Sequence, residues 1–157
     1  MDLDETIATY MDAAFEEAHR AAERDEVPVG AVLVDGQSGA ILARDGNRTR
    51  ENADPTAHAE VLVIRAVAAE RGVPRLPDCD LYVTLEPCAL CAAAISFARI
   101  RRVIFGAYDE KMGAVANGPQ FFSQPTCHHR PEVTRGVMSD RSADLLRRFF
   151  RARRPTH

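Results

Sequence analysis

Three side chains offer metal ligands at a suggestive spacing. They are His58 in His58-Ala59-Glu60 and the two cysteines of Pro87-Cys88-Ala89-Leu90-Cys91, thirty positions further on. Cysteines three apart on a helix share a face, so both sulfurs can reach one ion. A helix N-terminus also favours the thiolate that zinc requires. With one nitrogen and two sulfurs from the protein, tetrahedral zinc keeps a fourth position for water, the pattern of a catalytic site. Zinc brings the pKa of water to about 7, so a nucleophile is available near neutral pH. Glu60 follows His58 by two positions, which do not share a helix face. Both address one site only if the helix aims its first turn at the metal. Glu60 would then sit beside the water without ligating the ion, as a proton shuttle.

Other readings of these residues compete. A redox C-x-x-C has no use for the preceding His-x-Glu. A closed structural zinc needs a fourth ligand, which Cys127 or His128 could supply. Cys127-His128-His129 is also a candidate second metal site, or simply a polar loop. Cys79 reads as a small buried thiol.

These residues need elements to carry them. Ile7, Tyr10, Met11, Ala14, Phe15, Ala18, Ala21 and Ala22 recur at helical spacing between Asp4 and Arg24, with Asp4 as a plausible N-cap. Val29 to Val34 reads as a buried strand, Asp35 to Gly39 as a turn, and Ala40 to Arg44 as the hairpin partner. A polar loop spans Asp45 to Pro55. A helix is expected from Ala57 or His58 to Arg71, stopped by Gly72 with Pro74 beyond. Asp80 to Leu85 is a strand. Pro87 stands where a helix begins, and the helix covers Cys88 to Arg99. Arg102 to Phe105 is a strand closed by Gly106. Ala107 to Pro131 has no periodicity. A short strand at Glu132 to Thr134 and a helix from Ser139 to Arg153 complete the chain, so strands alternate with helices as in a helix-covered sheet with parallel pairs.

The 157 residues fit one domain, 1–157, and no run approaches the roughly 18 apolar residues of a membrane helix. The N-terminus is acidic where a secretory signal is basic, and four cysteines are too few and too scattered for a disulfide framework. A cytoplasmic protein is expected. The net charge of −3 is unevenly spread: residues 1–30 hold nine acids against two arginines, and residues 131–157 seven arginines against three acids. That asymmetry points to an anionic partner near the C-terminus. On the last helix Leu145, Leu146, Phe149 and Phe150 form one face, with Arg147, Arg148, Arg151 and Arg154 largely on another. Arginine pairs phosphates and stacks on bases, although a docking helix with a solvated basic face would look the same.

H-x-E followed by P-C-x-x-C is the signature of zinc nucleobase deaminases, in which the carboxylate moves protons while water replaces an amino group. Beyond it, the chain resembles the bacterial tRNA-specific adenosine deaminase family of the cytidine deaminase-like superfamily. The matching segments are Val27 to Val32, Asp54 to Glu60, Leu81 to Cys88, Arg102 to Ala107, His129 to Val137 and Phe149 to Arg154. The resemblance implies a three-layer α/β/α fold with a mixed sheet of about five strands, one zinc per subunit, and a homodimer. It implies conversion of the wobble adenosine of the tRNA anticodon stem-loop to inosine. It also implies substrate contacts from Asn47 and Asp109, and anticodon-loop contacts from Phe149, Arg151, Arg153 and Arg154. Between Asn117 and His128 the sequence departs from the better-known members, in a stretch expected near the substrate or dimer surface. The rival readings are a deaminase of free guanine, guanosine or adenine, and an RNA-binding protein with structural zinc.

Overall fold

Alternation along the strands divides the sheet's two faces between two helix layers. In the computed structural model, which describes residues 3–153, β1 (Gly30–Asp35) pairs antiparallel with β2 (Ile41–Gly46) and with β3 (Cys79–Leu85). Parallel pairing then adds β4 (Arg102–Ala107) to β3 and β5 (Glu132–Thr134) to β4. The five-stranded mixed sheet has the order β2-β1-β3-β4-β5.

Val32 and Val34 of β1, Tyr82 of β3 and Ile104 of β4 pack against Met11, Ala14 and Phe15 of α1 (Leu3–Glu23) and Leu145 of α4 (Ser139–Arg153). Their neighbours Ala31, Leu33, Leu81, Val83, Val103 and Phe105 point the other way. They meet Val63 and Val67 of α2 (Ala59–Arg71) and Ala92 and Ile95 of α3 (Ala89–Phe97). The result is the expected α/β/α arrangement. Each fully buried large apolar side chain contributes roughly 1.5–3 kcal/mol, and a one-residue register slip would exchange the two faces.

Several boundaries depart from the sequence reading for local reasons. Asp4 is not an N-cap: it lies inside the first turn of α1, where an acid complements the helix dipole. The strand β2 continues to Gly46, whose partner is Gly30. Gly106 does not close β4, because Ala107 still pairs with Leu85. The helix α3 is shorter than expected, with Cys88 as its extended N-cap and Arg99 at φ 61° beyond its end. Gly72 does stop α2, at φ 69°, and its N–H donates to the Ala68 carbonyl at 2.9 Å.

The aperiodic segment after β4 has a topological cause. Parallel strands need a crossover, which a helix usually supplies. Between β4 and β5 it is an irregular path holding one short 3₁₀ turn, Phe121–Ser123. Ala114, Val115, Phe122 and Cys127 bury this path against the α2/α3 side of the sheet. The C-terminal ends of β3 and β4 therefore open onto loops, the usual place for a ligand crevice in such sheets.

Candidate active site

Two helix N-termini meet at that crevice. His58 is the extended N-cap residue of α2 and Cys88 that of α3, with Cys91 one turn inside. The His58 Nδ1 lies 3.5 Å from the Cys88 sulfur and 3.4 Å from the Cys91 sulfur. The three donor atoms all fall within 4.8 Å of one another, and among the described residues they are the one His/Cys/Asp/Glu group so placed. A hydrogen bond to the main chain of Pro55, necessarily its carbonyl, helps hold the imidazole. The donor set fits zinc: borderline and soft ligands, three in number, at the positive ends of two helices.

The electrostatics agree. Hydrogen bonding from Cys91, then from His58, outweighs burial and pushes the Cys88 thiol down to about 4. Cys91 is driven up by that same contact and by burial, and a bound cation would displace its proton. His58 is raised, first by its contact with Cys88.

Glu60 occupies the first turn of α2, is 4% exposed, and lines the same cavity as His58 and Cys88. The extended backbone at His58 swings the imidazole into the crevice, and the helix then brings Glu60 alongside. Desolvation raises the Glu60 carboxyl to about 7. It stands outside the ligand group, as expected for a proton carrier.

Asn47 and Asp109 line this cavity of about 230 Å³ together with Val27, Val29, Leu85 and Met112. The Asn47 carboxamide oxygen accepts the Ala59 N–H at 2.8 Å, capping α2 from outside. That leaves its NH₂ as the group free to donate to a ligand. The Asp109 carboxylate accepts from the N–H groups of Lys111 and Met112 at 3.1 and 3.0 Å, turning the loop at the cavity mouth. An adjoining groove of about 500 Å³ shares Val27, Leu85, Asp109 and Met112, and adds Tyr108, Lys111, Leu146 and Phe150.

Cys127 and His128 do not join the metal donors. The Cys127 thiol is buried and faces the Ser96 hydroxyl and the His129 carbonyl, at 3.5 and 3.1 Å. The His129 ring meets the Ile100 carbonyl at 2.6 Å. On α4, Phe149 is 8% exposed and lies under the Arg153 guanidinium, which also pairs with Asp25. Arg147 and Arg148 pair with Asp144. Of the residues expected to meet an anticodon loop, Arg151 is therefore exposed and without an ion pair among the described residues, while Arg154 lies outside them. The accessible aromatic of α4 is Phe150, which is 49% exposed and lines the groove with the equally exposed Tyr108.

Sequence reasoning assigned no role to Glu26 and Glu86, two buried acids that hold the loops around the cavity. Nothing periodic marks them. The available signal was an acid immediately before Pro87-Cys88, in a strand-to-helix turn.

The sequence pattern of the cytidine and deoxycytidylate deaminase zinc-binding region matches residues 4–107. A tRNA-specific adenosine deaminase of Agrobacterium fabrum is 60% identical over 145 residues, covering 92% of this chain and 94% of the relative. A solved structure from work on A-to-I editing by tRNA:A34 deaminases at the wobble position aligns with a TM-score of 0.85. Its identity is 59%, over 88% of this chain and 99% of that one. A mutant protein crystallised with 8-azaguanine aligns with a TM-score of 0.81 at 20% identity, over 93% and 85% of the two chains. That last likeness is one of fold alone.

Proposed function

The chain belongs to the tRNA-specific adenosine deaminases, within the cytidine and deoxycytidylate deaminase zinc-binding family, and we propose specific roles for its cavity residues in that reaction. It is a zinc-dependent hydrolase that converts the wobble adenosine of tRNA to inosine, releasing ammonia. The observation that carries the reading is the convergence of the His58-Cys88-Cys91 donor group with buried Glu60 in one cavity.

His58, Cys88 and Cys91 hold the metal, which when bound supplies the Lewis acidity that makes water nucleophilic near neutral pH. Glu60 takes a proton from that water, delivers it to the ring nitrogen beside the amino-bearing carbon, and later helps protonate the leaving ammonia. The Asn47 NH₂ donates to an acceptor on the base, its oxygen being committed to α2. Val29 and Leu85 give the base apolar walls. Asp109 stands at the mouth, where the ribose of a flipped-out nucleotide would lie.

The cavity continues into the groove lined by Tyr108, Lys111 and Phe150. A free base would leave that groove empty, whereas the nucleotides flanking an extruded adenosine would run along it. Arg151 beside Phe150 supplies phosphate contact. We read the anticodon stem-loop as the bound unit and the cytoplasm, where tRNA is, as the location. A homodimer is supported by Leu90 and Phe97 of α3, 40% and 72% exposed. Sedimentation of the wild type and of Phe97→Asp tests that point.

The functional test supplies an adenosine-34 stem-loop, and separately free nucleosides and bases, and measures inosine and ammonia. Turnover of the stem-loop is expected. Turnover of guanine or guanosine with inert RNA would sink the tRNA reading. Arg151→Ala should lower the salt slope of RNA binding by about one phosphate contact.

A further inference from the structure

The chemistry above leaves Glu86 unused, although it is 2% exposed and stands two residues before a metal ligand. One of its oxygens accepts the Asp109 N–H at 3.0 Å and the Asn117 side-chain amide at 2.7 Å. The other accepts the N–H groups of Val115, Ala116 and Asn117 at 3.1, 2.9 and 3.0 Å. A buried carboxylate persists when such donors replace its hydration, and hydrogen bonds to a charged acceptor are the stronger kind. All five come from one loop, the loop that carries Asp109 and Met112 to the cavity.

A second seam runs alongside. The Ala114 N–H donates to the Pro87 carbonyl at 2.9 Å, and Gly113 bridges to Cys88. Gly113 allows no side chain there: a Cβ would come within 2.5 Å of the Glu86 carboxyl and 2.4 Å of the Asp109 carbonyl. Residues 86–88 and 109–117 are thus zipped together, with the metal ligand on one half and the cavity mouth on the other.

We propose that Glu86 is a positioning residue that sets the Asp109–Met112 wall against the metal-binding segment, so that the nucleoside finds this wall in place when it binds. The proposal rests on the reading of Asp109 as a substrate-contacting residue. Glu86 also lines the cavity, but both its carboxylate oxygens are committed to the loop, so the carboxylate acts through Asp109.

Glutamine tests this because it keeps the shape and changes the donors. If its NH₂ takes the place of the first oxygen, Asn117 can turn its own amide to accept from it, and the Asp109 N–H alone loses its acceptor. The experiment uses the zinc-loaded full chain as wild type, Glu86→Gln and Asn117→Ala. It measures metal content, backbone amide exchange, and kcat and KM on the adenosine-34 stem-loop.

Glu86→Gln is expected to keep its zinc, to speed exchange at the Asp109 amide about tenfold while β3 stays protected, and to raise KM about tenfold with kcat nearly unchanged. Asn117→Ala removes one side-chain donor and keeps four main-chain ones, so KM should rise about twofold. Unchanged Asp109 exchange and KM in Glu86→Gln, or a fall in kcat at constant KM, would overturn the proposal. Should Glu86→Gln not fold, Asn117→Ala decides by the same split between KM and kcat. A wild type inert toward the stem-loop but active on a free purine would overturn the substrate reading instead, while amide exchange still decides the role of Glu86.

Discussion

On one side of the cavity, residues 47–57 rest on Glu26, which is fully buried and accepts the N–H groups of Arg50 and Glu51 at 3.1 and 2.8 Å and the Thr49 hydroxyl at 3.3 Å. On the other, residues 109–117 rest on Glu86 with its five donors. The first loop has further support. Arg48 bridges Asp45 and Glu51, Arg24 donates to the Asn47 carbonyl at 3.1 Å, and the Arg48 N–H donates to the Ala57 carbonyl at 3.0 Å. The second loop has, besides Glu86 and the seam at Gly113, the apolar burial of Ala114 and Val115. The polar support of one wall is spread over many contacts, and that of the other is gathered on one carboxylate and one glycine. Redundant support tolerates single losses, and concentrated support does not.

Between the walls stands Glu60, and its loss should be the largest effect of all. Glu60→Gln should lower kcat by about 10²–10⁴ while zinc content and RNA affinity hold. An equal loss of RNA affinity would mean that Glu60 belongs to the walls. Next comes Gly113→Ala, which sets a methyl against the Glu86 carboxyl and the Asp109 carbonyl. Overpacking of this kind costs about 1–3 kcal/mol, read as a lowered Tm together with a raised KM. An unshifted melting curve would show that the second wall has slack.

Both supporting carboxyls are held below their ordinary values by the hydrogen bonds they accept, so pH can probe each wall in turn. Burial alone would raise the Glu26 carboxyl, but the Glu51 and Arg50 amides, the Thr49 hydroxyl and the Arg24 charge outweigh it and hold it below its ordinary value. A group depressed in the folded state stabilises above its unfolded pKa and loses that contribution as pH falls through the folded one. Glu26→Gln should therefore lower Tm at pH 7 and flatten its decline on acidification below about pH 4.5. A decline as steep as in the wild type would place the acid-sensitive group elsewhere. Smallest of all is Arg48→Ala, where half-exposed ion pairs are worth about 0.2–1 kcal/mol. A loss well beyond that, by chemical denaturation, would mean that the first wall is no more redundant than the second.

Much of this was legible in the residues, because burial leaves a trace in residue type and spacing. The unbroken apolar run from Gly30 to Val34 reads as a strand covered on both faces, and Ser139 to Arg153 reads as a helix end to end. The ligand set was legible because zinc chemistry restricts residue types and spacing. The supports were not. Glu26 and Glu86 hold loops by accepting main-chain N–H groups, and every residue but proline carries one, so sequence spacing carries no mark of the contact. The family resemblance points Asn47 at the substrate, whereas its capping of α2 depends on how β2 delivers it and has no mark in the sequence. Phe149 and Phe150 share an apolar face on a helical wheel. Which of them is enclosed is decided by the angle at which α4 docks.

The two N-caps that frame the metal have a consequence for how the protein matures. His58 and Cys88 stand at the mouths of different helices, separated by a helix and a strand of chain. The cysteine pair alone supplies two donors, and the third arrives when α2 and α3 lie side by side on the finished sheet. Tight metal capture therefore reports that folding is complete. A newly made chain would acquire its ion late, once both helices have docked on the sheet.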